Sequence, residues 1–439
     1  GEEIHDGNFC MDGLVYPDRT VHTGLLEYKN VYRPARVISY NKESGELVLH
    51  NYMDFDDLKD YVKISYELTQ DGLVISKGIL PEFSVAPHGE GKTNLKINVP
   101  ENGKCYLKLI YHLKKELPLL DEDHILGFDE IEVSQDNAKC RLAEKWLQKT
   151  TKGSELQVHE NDTQIHIKGR EFAYTIDKRT ALFTEMKFAG REYLNHPMEL
   201  NIWRAPTDND MYIKSEWKKA HYDKAYTRAY TTEVVQGKHG VKITSHASVV
   251  AETVQKILDV TITWKIEAAG KIDADIAVTK DDEFPDLPRF GVRMFLDKKL
   301  TDARYFGMGP QESYRDKHQA ASHGLYRANV GDLHEDYIRP QENGSHYDCE
   351  YVELNNSRYG IVVFAENAFS FNASYYTQEE LEKKTHNYEL TESDSVVFCV
   401  DYALNGIGSN SCGPVVLDQY RFDDVLFRFQ FTLIPYVKG

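Results

Sequence analysis

The sequence predicts an all-β protein in which a sandwich of about 100 residues precedes one large antiparallel β domain. Three observations support this fold class. Short runs that alternate between apolar and polar residues recur along most of the chain, as expected for strands that bury one face. Turn sequences rich in Gly, Asn and Asp separate those runs, and neither a βαβ unit nor an internal repeat is present. Tyr and Phe, which favour strands, number 28 and 19.

The composition limits the classes of partner and compartment. The 439 residues carry a net charge of -18 and no basic block, which argues against binding to nucleic acid or to an anionic membrane. The six Cys residues lie far apart, without the close pairs of a metal knuckle or redox motif, so we expect reduced thiols in a cytoplasmic protein. No apolar run reaches transmembrane length and no signal peptide is recognised. Because the chain begins at Gly1, we expect it to be a piece of a longer polypeptide.

The chain is predicted to contain four consecutive segments. Residues 1–30 form a loop and then a short helix, and residues 31–136 form the strands of the sandwich. Residues 137–160 are charged and lack alternation, which indicates a linker with one helical turn at Ala143–Leu147. Residues 161–439 return to strands. So many strands imply two large sheets packed face to face, because an open sheet that wide would not remain flat.

Individual elements follow from the alternation and the turn residues. The predicted strands of the sandwich are Glu46–Phe55, Val62–Leu68, Leu73–Ile79, Leu95–Val99 and Cys105–Leu113. Those of the large domain are Gln164–Lys168, Phe172–Ile176, Leu182–Phe188, Val241–Val250, Ile257–Ile266, Ile272–Val278, Val292–Leu296, Ile361–Ala365, Val396–Tyr402 and Phe427–Leu433. Short helices are predicted at Ile213–Tyr222 and Gln378–Thr385.

Several carboxylates are candidates for glycoside chemistry, which needs an acid and a nucleophile or base a few ångströms apart. Asp208 and Asp210 lie in Arg-Ala-Pro-Thr-Asp-Asn-Asp, Glu312 and Asp316 in Gly-Met-Gly-Pro-Gln-Glu-Ser-Tyr-Arg-Asp, and Glu342 in Arg-Pro-Gln-Glu-Asn-Gly. No spacing among them determines a mechanism. The simpler interpretation, which we favour, is that each accepts backbone N–H bonds or pairs with an Arg.

Other chemistries are not indicated by the sequence. The 17 His residues include no His-x-x-x-His pattern and no Cys/His cluster, which argues against a structural zinc site. The Gly-x-Ser-x-Gly elbow of a serine hydrolase is absent. Gly307-Met-Gly-Pro lacks the Lys-Ser/Thr that completes a phosphate loop.

Two turn-rich segments stand out from the β scaffold. Asn405–Pro414 contains three glycines and a closing proline, and such a backbone is costly to immobilise, so we expect a shaped surface feature. Asn8–Arg19 is also rich in turn residues and carries polar and aromatic side chains. We hypothesise that the scaffold brings both segments to the rim of one sugar site whose catalytic carboxylates are not in this chain.

These segments also carry a resemblance to a known family. Asn8-Phe-Cys-Met-Asp-Gly-Leu-Val-Tyr-Pro-Asp-Arg-Thr20, with Leu25-Leu-Glu-Tyr-Lys29, resembles the end of the catalytic barrel of glycoside hydrolase family 2 β-galactosidases. Motifs similar to those of the final domain follow in the expected order: Arg204–Asp210, Gly307–Tyr314 with Asp316, Pro340–Gly344 and Gly406–Gly408. The resemblance implies a barrel tail, an immunoglobulin-like domain and a supersandwich similar to galactose mutarotase.

The same resemblance implies which residues would contact the substrate. The acid/base and nucleophile glutamates and the magnesium ligands of the family lie in upstream barrel segments, so no catalytic residue is expected in this chain. At the matching positions, the carbonyl of Phe9 and the side chain of Asp12 would bind a sodium ion that meets the galactosyl hydroxyls. Well-known enteric members have Asn where this chain has Asp12. Cys412 stands where the glycine-rich loop of relatives can offer a Trp to the sugar, and a thiol cannot stack on a pyranose.

The resemblance therefore predicts the C-terminal part of a retaining β-galactosidase that acts on β-galactosides such as lactose and works with an upstream barrel or large subunit in a homo-oligomer. Two alternatives remain open. One is a non-catalytic carbohydrate-binding or subunit-assembly protein, as in relatives with separate large and small chains. The other is an aldose epimerase, which would require a His and a Glu to converge in the concave face of the last domain.

Overall fold

A computed structural model describes residues 13–147, 156–254, 256–411 and 413–438. The fold is all-β, as predicted, with four sheets and a few short helices. Within the described ranges, no helix is long and apolar enough to cross a membrane.

The N-terminal segment contains the predicted helix, α1 (Thr23–Val31). His22 caps it by accepting a 3.0 Å hydrogen bond from the amide of Gly24. Near its other end the buried Asn30 accepts from the amide of Phe128 at 2.7 Å and donates to the carbonyl of Gln319 at 2.8 Å. A single side chain of α1 thus joins the sandwich to the large domain.

The sandwich consists of a three-stranded and a four-stranded sheet with one shared core. The orders are β1-β2-β5 and β4-β3-β6-β7. The elements are β1 (Ala35–Tyr40), β2 (Glu46–Asn51), α2 (Leu58–Tyr61), β3 (Val62–Gln70), β4 (Leu73–Ile79), β5 (Glu90–Asn94), β6 (Cys105–Leu113) and β7 (Ile125–Glu132). Leu107 and Leu109 of β6 are fully buried, as alternation requires.

Two strand predictions in the sandwich were wrong in part. Leu95–Val99 is not a strand, since β5 lies just before it. Leu95 is buried and Ile97 and Val99 pack against the core, so the alternation there marks one buried face of the segment that follows β5. The strand predicted at Glu46–Phe55 ends at Asn51, and Phe55 is almost wholly exposed.

The predicted linker contains α3 (Glu144–Leu147), at the place expected for a helical turn. Trp146 is buried and its indole N–H donates to the hydroxyl of Tyr351 at 3.2 Å, so this segment packs on the large domain. The last linker residues, Gln157–Glu160, instead form β8, which is the edge of the next sheet.

The large domain packs a five-stranded sheet on a twelve-stranded one. The first sheet has the order β12-β11-β10-β9-β8, and the second runs β13-β18-β23-β22-β24-β17-β16-β15-β14, with β21, β19 and β20 continuing from β22. The elements are β9 (Gln164–Lys168), β10 (Phe172–Asp177), β11 (Leu182–Phe188), β12 (Arg191–Glu192), β13 (Leu194–Asn201), α4 (Ile213–Lys219), β14 (Tyr226–Gln236), β15 (Gly240–Val250), β16 (Leu258–Glu267), β17 (Ile272–Lys280), β18 (Arg289–Asp297), β19 (Asp302–Gly309), β20 (Ser322–Asn329), β21 (Ser345–Asn355), β22 (Tyr359–Ser374), α5 (Gln378–Lys383), β23 (Ser395–Leu404) and β24 (Leu426–Val437).

The two sheets meet through aromatic side chains. Phe183 of β11 packs edge-on against Trp264 of β16 with 4.9 Å between ring centroids. The indole of Trp264 donates to the carbonyl of Ala181 at 2.8 Å, so the buried N–H is satisfied. The ten strands and two helices predicted for this domain all correspond to elements of the structure.

A buried histidine joins the sandwich to the large domain. His323 of β20 contacts the carboxylate of Glu130 at 2.7 Å and that of Asp348 at 3.0 Å, and its ring stacks on Tyr106. Burial opposes the charged imidazole, but the hydrogen bonds to Asp348 and Glu130 outweigh it and raise the pKa of His323 to about 9.

This raised pKa predicts a pH-dependent contribution to stability. The contribution is complete below the unfolded pKa of about 6.5 and is lost as the pH rises through about 9, which removes on the order of 3 kcal/mol. In chemical denaturation at pH 6 and pH 9.5, the stability difference between the wild type and His323→Gln should therefore shrink at the higher pH. His239→Gln, at an exposed histidine, is the control. An equal difference at both pH values would show that His323 is not charged in the folded protein.

Candidate functional site

A cleft of about 750 Å³ lies between the N-terminal segment and the large domain. Its walls come from the segment before and within α1, from the turns after β13, from the connections between β19 and β21, and from the loop after β23. The lining residues are Gly13, Leu14, Val15, Tyr16, Pro17, His22, Gly24, Glu27, Thr207, Asp208, Asn209, Asp316, Lys317, Tyr337, Ile338, Arg339, Gln341, Glu342, Ile407, Gly408 and Ser411. All four motifs of the large domain contribute to it.

The glycine-rich loop is held at its base by a buried arginine. Arg204 donates to the carbonyl of Asn405 at 2.6 Å and to that of Gly406 at 3.1 Å. Its other guanidinium edge binds Asp210 through hydrogen bonds of 3.1 and 2.7 Å. Asp210 also accepts from the amide of Thr207 at 2.9 Å, so the pair is fixed on both sides.

Asp316 holds the next two residues of the loop. Its carboxylate oxygens accept from the amides of Ile407 at 3.0 Å and Gly408 at 2.8 Å. A side chain at Gly406 would place its Cβ 2.7 Å from a carboxylate oxygen of Asp316, so the close approach requires glycine there. Asn209 donates to the carbonyl of Ile407 at 2.8 Å. The loop from 405 to 408 therefore has a defined backbone path.

The Pro340–Gly344 motif is hydrogen-bonded to the Arg204–Asp210 and Gly307–Tyr314 motifs. The amide of Asp208 donates to the side chain of Gln341 at 3.1 Å, and the amide of Gly344 donates to Glu312 at 2.8 Å. Next to Gln341, the amide of Glu342 donates to the carbonyl of Ala205 at 3.0 Å. Motifs whose contacting residues lie 32 to 137 positions apart in sequence thus form one hydrogen-bonded unit.

Glu312 attaches the N-terminal segment to this unit. It lies beneath α1 and accepts from Lys317 at 2.6 Å, from Thr23 at 3.2 Å and from the hydroxyl of Tyr337. Burial would raise the pKa of Glu312, but Lys317 and these hydrogen bonds hold it below its usual value, so the carboxylate is charged. Nearby, the hydroxyl of Tyr16 donates to Glu335 at 2.5 Å.

Glu342 belongs to a second buried charge cluster. Arg289 donates to Asp401 at 3.2 and 2.6 Å and to Glu342 at 3.3 Å. Burial raises the pKa of Glu342 despite Arg289 and Arg204, and it raises that of Asp401 despite Arg289. One carboxylate oxygen of Glu342 has no hydrogen-bond partner in the described part of the chain. Within it, moreover, no group of three His, Cys, Asp or Glu is arranged to hold a metal ion.

The candidate carboxylates therefore have structural partners, as the simpler interpretation predicted. Asp210 and Glu342 pair with arginines, and Asp316 accepts backbone amides. Glu312 pairs with Lys317 instead of an arginine, and Asp208 accepts from the side chain of Gln341 at 3.3 Å. Sequence reasoning missed Lys317 and Tyr337, because neither belongs to a recognisable motif and their contact with Thr23 joins positions about 300 residues apart.

The three predicted site residues lie outside the described residues. Phe9 and Asp12 precede the first described position, Gly13, and Cys412 separates Ser411 from Gly413. Gly13 and Ser411 nevertheless both line the cleft. The structure thus brings the described ends of the early segment and the late loop to one cavity, as hypothesised.

The epimerase alternative receives no support from His346, the most deeply buried histidine among the described residues of the large domain. His346 lies within 3.3 Å of the carbonyl of Met308 and packs on Tyr305 and Phe371. Burial lowers its pKa to about 4, so the ring is neutral at pH 7. Its partner is a backbone carbonyl and not a glutamate.

Comparison with known proteins identifies the family. Residues 168–433 match the sequence model of the β-galactosidase small chain, and residues 47–134 match that of β-galactosidase domain 4. The chain is 44% identical to the β-galactosidase of Actinobacillus pleuropneumoniae over 99% of its own length and 42% of that protein. It is 32% identical to that of Staphylococcus xylosus over 99% of its own length and 43% of that protein. The chain therefore spans about two-fifths of these relatives.

Solved structures that match part of the chain include the galactose 1-epimerase of Lactobacillus acidophilus, with 9% identity and a TM-score of 0.35 over 65% of this chain and 99% of that one. A putative aldose 1-epimerase of Escherichia coli has 7% identity and a TM-score of 0.32 over 65% and 99%. The family assignment depends instead on sequence. Since the small-chain match alone spans more than half of the residues, the chain belongs to the β-galactosidase family, of which it carries the small-chain and domain 4 regions.

Proposed function

We propose that this chain is the C-terminal part of a retaining β-galactosidase of glycoside hydrolase family 2 and that its cleft forms the rim of the sugar site. The observation that carries the proposal is the meeting of residues 13–17 and 407–411 at one cleft. The bond-breaking carboxylates, and the glutamate that would form the galactosyl-enzyme, are assigned to the upstream barrel. The walls of the cleft supply hydroxyl, amide and carboxylate groups suited to sugar hydroxyls.

The ion expected from the family is proposed at the entrance to the same cleft. The carbonyl of Phe9 and the carboxylate of Asp12 would hold sodium, and Gly13, which follows Asp12, lines the cleft. Oxygen ligands of this kind suit a hard cation. Magnesium is assigned to upstream ligands.

We also propose that the complete protein is a cytoplasmic homo-oligomer. Cys105, Cys140, Cys349 and Cys399 are free thiols, which suits a reducing compartment. The alternative is a non-catalytic carbohydrate-binding or subunit-assembly protein, in which the contacts of α1 with the large domain, such as those of Thr23 and Asn30, would have a structural role only. The experiments below distinguish the two.

The 439-residue polypeptide alone should not hydrolyse a chromogenic β-galactoside, because the proposed acid and nucleophile lie upstream. The measurement is the release of the chromophore by the purified chain, with the full-length enzyme as the positive control. Turnover that follows the chain through two orthogonal purification steps would overturn the assignment of catalysis to the barrel.

Asp316→Asn should disturb the path of the glycine-rich loop in the full-length enzyme. An amide cannot accept from both Ile407 and Gly408 with the strength of a carboxylate, so about 1–3 kcal/mol of loop stabilisation is lost. We expect KM for lactose to rise and the ratio of transfer to hydrolysis to change about fivefold, with a smaller change in kcat for an aryl galactoside. Asp332→Asn, at an exposed carboxylate, is the matched control. Unchanged partitioning in Asp316→Asn would place the loop away from the substrate and favour the assembly alternative.

Cys412→Trp should add a flat apolar face to the loop. Stacking on an aromatic side chain contributes on the order of 1 kcal/mol, or several-fold in affinity. Binding of glucose as acceptor should therefore change more than turnover of an aryl galactoside, and Cys412→Ser should leave both unchanged. Equal kinetics for the Trp and Ser variants, at equal thermal stability, would mean that position 412 does not face the sugar.

A further inference from the structure

A second cavity of about 220 Å³ lies on the large domain, beside the base of the glycine-rich loop and apart from the cleft. It is lined by Tyr314, Arg315, Tyr347, Asp348, Ala368, Phe369, Ser370, Tyr402, Ala403, Leu404 and Asp424. A cavity of this size suits one small molecule.

The lining combines aromatic rings with polar groups that have no partners. The hydroxyls of Tyr347, Tyr402 and Ser370 make no hydrogen bond to the described residues, and Ser370 is only 5% exposed. The cavity therefore offers several unused hydrogen-bonding groups at close range.

The rings are held by their own packing. Tyr402 lies parallel to Phe427 at 4.8 Å between centroids and also contacts Phe422, so its orientation does not depend on a ligand. Tyr347 lies against His318. Preorganised rings lose little entropy when a ligand binds.

The charges of the cavity select the class of ligand. Asp348 uses one carboxylate oxygen on His323 and leaves the other free, and Asp424 is exposed and has no ion pair among the described residues. Arg315 donates one N–H to the carbonyl of Arg421 at 2.7 Å. Two carboxylates beside one guanidinium disfavour an anion, whereas both charge types can bind the hydroxyls of a neutral polyol.

We propose that this cavity binds a single pyranose sugar, separately from the proposed rim site in the cleft. An apolar face of the sugar would lie on an aromatic ring, and its hydroxyls would bind Asp424, Asp348 and the free tyrosine hydroxyls. The proposal depends on the chemistry of this cavity and not on the assignment of the cleft.

The test is a titration of the 439-residue polypeptide with D-galactose, D-glucose and choline, in which saturation-transfer NMR detects binding. We expect millimolar binding of at least one hexose, and Asp424→Asn should weaken it about fivefold. Asp423→Asn, at the neighbouring exposed carboxylate, should leave it unchanged. Tyr402→Phe, which keeps the packing and removes only the hydroxyl, should weaken it about threefold.

Three outcomes would overturn the proposal. The first is hexose binding that is equal in the wild type, Asp424→Asn and Tyr402→Phe, which would assign the sugar to another place such as the cleft. The second is the absence of hexose binding at about 100 mM sugar. The third is binding of choline without binding of a hexose, which would identify a cation site. None of these measurements depends on turnover, so failure here leaves the kinetic test of Asp316→Asn unaffected.

Discussion

The buried guanidinium of Arg204 is the interaction on which the functional surface depends. Taking a charge out of water is costly, and Asp210 and the carbonyls of Asn405 and Gly406 offset that cost. Removal of any one partner would leave a buried group unpaired. The path of the loop is therefore tied to the core, because two of its backbone carbonyls accept the hydrogen bonds that a buried arginine must make.

The same logic extends outward from Arg204 to the N-terminus. Asp316 accepts hydrogen bonds from the next two amides of the loop, and Gln341 accepts one from the amide of Asp208. Glu312 accepts hydrogen bonds from Lys317 and Thr23. Each motif carboxylate has a fixed donor, so the cleft walls are rigid before any ligand arrives. This arrangement suits residues that position a substrate and is less suited to proton transfer, for which a carboxylate must change its charge.

Much of the fold was predictable because burial on one face leaves a period of two in the sequence. β4 and β6 were predicted to the residue. Strands such as β14 and β21 were missed because exposed or polar residues interrupt that period. The site was predictable only as a set of motifs. Which carboxylate meets which donor depends on contacts between distant positions, for example Thr23 and Lys317, and alternation carries no information about them.

The two hydrogen bonds of Asn30 bear on how the sandwich and the large domain can move relative to each other. Its amide joins the sandwich at Phe128 to the large domain at Gln319, and the approach of Gly72 to Leu325 leaves no space for a Cβ between the same two bodies. His323 is a third attachment across the same boundary, and a hinge motion between the two bodies would have to break all three contacts. These three contacts oppose relative motion of the sandwich and the large domain.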